Sequence, residues 1–167
     1  LTSFCLAVSA QPDRIPWEPA EDTVYLQEVG WQIKTDTPVT AVSVAYDEAS
    51  DVERIFAGTK DGLYRVEGEE LVRVEAVPAG PVKQLHGVFA YNGRERRDYT
   101  YCITADALWR HGADKWVKVG DGAFVDIDGT IVATERNLYQ VAFDYLRPIN
   151  EDASPLPIEA IATHNRT

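Results

Sequence analysis

Residues 56–74 read FAGTKDGLYRVEGEELVRV, and the architecture follows from them. The stretch aligns without gaps to residues 101–119, YCITADALWRHGADKWVKV, and to residues 131–149, IVATERNLYQVAFDYLRPI. Each copy has a Thr, then three residues, then Leu and an aromatic: Thr59/Leu63/Tyr64, Thr104/Leu108/Trp109 and Thr134/Leu138/Tyr139. Eight residues after each Leu stands another large apolar residue, Leu71, Trp116 or Leu146. Arg65, Arg110 and Gln140 follow the aromatics. Self-similarity at such a spacing marks a repeat architecture.

Each copy reads as strands. Residues 54–59 are β-prone, Lys60-Asp61-Gly62 is turn chemistry, and 63–67 make a second strand. Gly68-Glu69-Glu70 turns again, into a third strand over 71–77. Ahead of these, residues 38–45 alternate apolar and polar and are rich in valine, as a half-buried strand requires. The polar segment 47–53 joins that strand to the next. A second unit opens at Pro81-Val82, with residues 92–98 as its first connection, where Asn92-Gly93 is a hairpin signal. A third opens near Ala123-Phe124-Val125 and turns tightly at Asp128-Gly129. The Thr-to-Thr spacings are 45 and 30 residues, and the shorter first hairpin accounts for the difference. No stretch after the first ten residues has a convincing helical period.

Units of about 40 residues in four strands are the signature of a β-propeller. The predicted fold is therefore all-β: an incomplete, open arc of about three blades, each of four antiparallel strands. The segments are 37–80, 81–121 and 122–156, with 157–167 starting a fourth blade at Pro157-Ile158. Residues 11–36 precede them and hold an outer strand at 23–33, TVYLQEVGWQI. A blade has an apolar face that a neighbour must cover, so apolar surface is predicted at both ends of the arc.

IFAGTKDGLYRVEGEEL, from Ile55, resembles the two-component regulator propeller repeat, whose core is roughly Leu-Trp-x-Gly-Thr-x-x-Gly-Leu-x-Arg. Gly58-Thr59, Gly62-Leu63 and Arg65 match it. The second copy departs at Ile103 and Ala107, the third at Ala133 and Asn137. The resemblance implies a propeller of the kind found in periplasmic sensor domains, secreted enzymes and binding proteins.

The chain has 16 basic and 27 acidic residues, a net charge of −11, and 45 % apolar residues. The composition is globular, and the acidic balance argues against nucleic-acid binding. No apolar run approaches the ~20 residues of a membrane span. There is no Met, and LTSFCLAVSA, ending in the small-x-small triplet Val8-Ser9-Ala10, reads as the tail of a secretory signal. The expected location is extracytoplasmic, periplasmic or secreted, and the chain is expected to be the N-terminal piece of a longer propeller. Apart from Cys5 in that tail, Cys102 is the sole cysteine, and its apolar setting reads as a buried structural thiol.

In a propeller the loops between second and third strands line the top face. They supply the candidate ligand-binding residues: Lys60 and Asp61, Asp106, and Glu135, Arg136 and Asn137. Turn chemistry also accounts for them. Asp61 and Asp106 would serve acid/base work only at suitable spacing. Asp126 and Asp128 fit a cation site or, better, a hairpin turn. The basic loop 94–97 reads as solvated. His86, His111 and His164 lack metal spacing, and no nucleophile elbow or phosphate loop appears. Tyr64, Trp109 and Tyr139 read as packing between blades rather than a sugar platform. No catalytic residue, metal or cofactor is expected. The function expected is a non-catalytic binding module, sensor or scaffold, with a small molecule, glycan or protein as partner, besides the remaining blades. The alternative is the N-terminal part of a secreted propeller enzyme acting on glycans.

Overall fold

A computed structural model describes residues 33, 35–47, 52–92, 95–112, 115–142 and 144–163. The signal-like residues 1–10, most of the 23–33 strand, Arg94 and His164 lie outside these. The described residues contain no helix, so none is long and apolar enough to cross a membrane. They form twelve strands in three antiparallel sheets of four, each built from consecutive strands. The first sheet holds β1 (Val39–Asp47), β2 (Val52–Thr59), β3 (Leu63–Glu67) and β4 (Glu70–Arg73). The second holds β5 (Val82–Asn92), β6 (Glu95–Thr104), β7 (Ala107–Gly112) and β8 (Lys115–Asp121). The third holds β9 (Phe124–Asp128), β10 (Ile131–Thr134), β11 (Leu138–Ala142) and β12 (Tyr145–Pro148).

The gapless alignment is reproduced in the ladders. Phe56 pairs with Arg65, Tyr101 with Arg110, and Ile131 with Gln140. Val66 pairs with Leu71, His111 with Trp116, and Val141 with Leu146. The recurring Thr has a local cause. Its hydroxyl donates to the carbonyl three residues on, at 3.2 Å for Thr59, 3.1 Å for Thr104 and 3.3 Å for Thr134. The same oxygen in Thr59 accepts the N–H of Asp61 at 3.0 Å, closing the turn. A bulge also recurs where each first strand enters its sheet, between Val39 and Ala41, between Val82 and Gln84, and opposite Ala133/Thr134.

Three boundaries differ from the sequence reading. The predicted loop 92–98 is mostly strand, because pairing runs out to Asn92↔Glu95 and leaves a two-residue connection. The strand expected over 71–77 ends at Arg73. Beyond it Val77 turns inward and is fully buried, Pro78 has no N–H to donate, and Gly80 sits at φ +139°. Residues 157–163 form no ladder.

Neighbouring sheets pack face to face. β1 and β2 lie against β5, β5 and β6 against β9, and β8 against β12. Two apolar clusters fill the two seams, drawn from the same repeat positions. Phe56, Leu63, Val82, Leu85 and Cys102 fill the first. Tyr101, Leu108, Phe124, Ile127 and Val132 fill the second. Trp109 and Trp116 flank the first, and Tyr139 and Leu146 the second. The recurring aromatic of the second and third copies thus packs against the preceding sheet. In the first seam the rings of Phe56, His111 and Trp116 meet at centroid distances of 4.9 to 5.2 Å. Burying one large apolar side chain is worth about 1.5–3 kcal/mol, against about 0.5–1.5 kcal/mol for a hydrogen bond. The seams hold the sheets together chiefly through these side chains.

The first sheet has a second apolar face. Val82 and Phe124 are 3 % and 1 % exposed, but Val39, at their repeat position, is 41 % exposed. Leu85 and Ile127 are 8 % and 1 % exposed, but Val42 is 59 % exposed.

Candidate functional site

The three candidate loops stand at the same end of their sheets as the connections leading to the next sheet. Their backbones are fixed by one repeated contact. The carbonyl of Asp61 accepts the N–H of Gly80 at 3.2 Å, that of Asp106 the N–H of Gly122 at 2.7 Å, and that of Arg136 the N–H of Ser154 at 2.7 Å. The chain entering the next unit is strapped to each turn. Lys60, Asp61, Asp106, Glu135 and Arg136 are exposed, and Asn137 is half-buried.

Several of these side chains serve the fold. Asp61 Oδ2 accepts the Thr37 hydroxyl at 3.0 Å. Asp106 Oδ1 lies 3.2 Å from the Thr104 hydroxyl oxygen. Arg136 Nη1 donates to the carbonyls of Ser154 and Pro155 at 3.1 and 2.9 Å. Glu135 lies 3.8 Å from the Arg136 guanidinium. Neither a hydrogen bond nor an ion pair joins candidate side chains of different loops.

A row of side chains that reaches across the seams lies instead on the first strands of the sheets. Gln84 Nε2 donates to the Ile127 carbonyl at 3.2 Å. The Gly129 N–H donates to His86 Nε2 at 3.0 Å. One unit further on, Asp126 Oδ2 accepts the Ile161 N–H at 2.8 Å, and Asp128 Oδ2 accepts the Thr163 hydroxyl at 2.9 Å and its N–H. Gln84 and Asp126 share a repeat position, as do His86 and Asp128. So do the receiving residues, Ile127 with Ile161 and Gly129 with Thr163. Residues 158–163 thus lie against β9 as β9 lies against β5. Asp126 and Asp128, read as turn residues, are tethers for this segment. Thr163, through its N–H and hydroxyl, holds the Asp128 carboxyl below the usual carboxylate range, and His86 adds to the effect.

Ser43, His86 and Asp128 occupy one repeat position, but the geometry is not that of a nucleophile–base–acid triad. Ser43 Oγ is buried without a hydrogen-bond partner. It faces Gly87, where a Cβ would come within 3.0 Å of it. His86 points onward to the third sheet. The sequence signal for this row is the alignment of the first strands on Val39, Val82 and Phe124, which the turn motif does not contain.

A cleft of about 310 Å³ opens at the outer part of the first seam, lined in part by Phe56, His111, Trp116, Arg54, Arg65 and Lys115. Arg65 is paired with Glu67. Arg73, also on its lining, donates to the Val77 carbonyl at 2.9 Å, and its guanidinium lies 5.9 Å from the Tyr64 ring centre. In the second seam Arg110 pairs with Asp144 and lies 5.0 Å from the Tyr99 ring centre. Cys102 is fully buried, and burial pushes its thiol up to about 12. It is a packing residue, as its apolar setting implied. Among the described residues no group of His, Cys, Asp and Glu could hold a metal ion.

No protein-family model matches the sequence, and the chain matches neither a curated protein nor a solved structure.

Proposed function

We propose that the three sheets are blades of a β-propeller, and that the propeller is a non-catalytic, extracytoplasmic module that binds a ligand or partner protein. The observation that carries the reading is the uncovered face of the first sheet. Positions sealed by the preceding sheet in both seams stand open at Val39 and Val42. A further unit of the same repeat is the surface that fits there. The row of tethers supports the same reading, because it sets β5, β9 and residues 158–163 side by side, with β1 packed against β5, as the inner strands of successive blades would be. The match of Gly58-Thr59, Gly62-Leu63 and Arg65 to the two-component regulator propeller repeat also agrees with it.

A binding role is supported by the rim of loops. Their backbones are fixed by the straps, yet Lys60, Asp106 and Glu135 are presented to solvent. Exposed side chains on a rigid scaffold are the usual way a loop acquires a ligand. The test is a panel of neutral and acidic oligosaccharides screened by thermal shift, with the wild-type chain beside a Lys60→Ala/Glu135→Ala variant. The expected result is a ligand-induced rise in Tm that the variant loses while keeping its circular dichroism. A rise of equal size in both proteins would remove these loops from the site.

A further inference from the structure

We infer that His86 is a proton-operated latch on the seam between the second and third sheets. Its Nε2 accepts the N–H of Gly129 at 3.0 Å. To accept there, the ring must be neutral with its proton on Nδ1. Gly129 opens the tight turn between β9 and β10 at φ +57°, so the bond fixes the tip of the third sheet's first hairpin to β5. Asp128 Oδ1 stands 3.8 Å from the same nitrogen. A protonated ring loses the acceptor that Gly129 uses, and its new N–H faces the Asp128 carboxylate. The hairpin bond is then exchanged for an ion pair with the residue that tethers Thr163.

Among the described residues the surroundings leave Asp128 as the partner for that charge. Asp126, the other acid on β9, is engaged with the N–H groups of Ile127 and Ile161. From β6 the facing residue is Tyr101, directly across the ladder, whose hydroxyl burial pushes up to about 12, so it carries no charge at neutral pH. The neighbours on the same face of β5, Gln84 and Val88, are uncharged. Histidine is the side chain that ordinarily changes charge between pH 5 and 8.

The experiment is amide hydrogen exchange with imidazole ¹⁵N shifts on the whole chain at pH 8 and pH 5. At pH 8 the His86 ring should be neutral with a bare Nε2, and Gly129 protected. Where the ¹⁵N shifts report a charged ring, Gly129 protection should fall roughly five- to tenfold after correction for intrinsic exchange. His86→Gln keeps an acceptor at every pH and should make Gly129 protection pH-independent. His86→Phe removes it and should give low protection at both pH values. A ring that stays neutral at pH 5, a neutral ring with its proton on Nε2, or Gly129 protection unchanged while the ring charges would each overturn the latch.

Discussion

Gly58 shows how a residue can answer to its neighbour rather than to its motif. It belongs to the Gly-Thr pair that carries the family resemblance, yet the same position holds Ile103 and Ala133 in the other copies. A Cβ on Gly58 would lie 2.4 Å from Val82 Cγ1 and 2.8 Å from Val82 Cβ. The missing side chain is what lets the second sheet approach the first. Gly58→Ala should therefore destabilise the chain by about 1–3 kcal/mol through overpacking, read as a lower urea midpoint at an unchanged slope. Thr59 behaves in the opposite way. Its copies, Thr104 and Thr134, are retained because the hydroxyl closes the turn from within, so alignment alone found it.

At the scale of the strand, register was legible and lateral contact was not. The Leu-aromatic pair fixed which residues face each other in all three sheets, since a slip of one residue would turn every apolar side chain outward. The β5–β6 ladder is longer than the sequence reading because its polar end, Glu95 to Asp98, resembles a loop in composition, while pairing continues to Asn92↔Glu95. The tethers at Gln84, His86, Asp126 and Asp128 were missed because each works on a neighbouring unit, and the polar residue type changes from copy to copy. The six loop residues proposed for binding were found through the turn signal, which reports backbone geometry and does not distinguish strap from site. The Asp128 tether has a pH signature. Its folded carboxyl titrates below its unfolded value of about 3.9, so its stabilisation is complete above that value and is lost as pH falls through the folded one. Thr163 amide protection should be steady from pH 8 to about 5 and fall only in acid, and Asp128→Asn should flatten that acid limb. Protection unchanged down to pH 2 would remove the tether.

At the scale of the whole molecule, the described residues hold one unit copied three times, the copies sealing apolar faces of their neighbours along two seams. The two seams draw on matching positions, Phe56 with Tyr101, Leu63 with Leu108 and Val82 with Phe124. That correspondence separates stacked units from a sandwich, in which strands of different copies would share a sheet. The seam between the first strands is the most direct place to measure it. Ser43 Oγ and a Cβ built on Gly87 are 3.0 Å apart, a separation compatible with a disulfide. A Ser43→Cys/Gly87→Cys variant, oxidised at low concentration and mapped by peptide mass spectrometry, should yield the intramolecular 43–87 bridge in high proportion. Free thiols at both positions, or bridges only between molecules, would contradict the packing of β1 against β5 and with it the copied, leaning sheets.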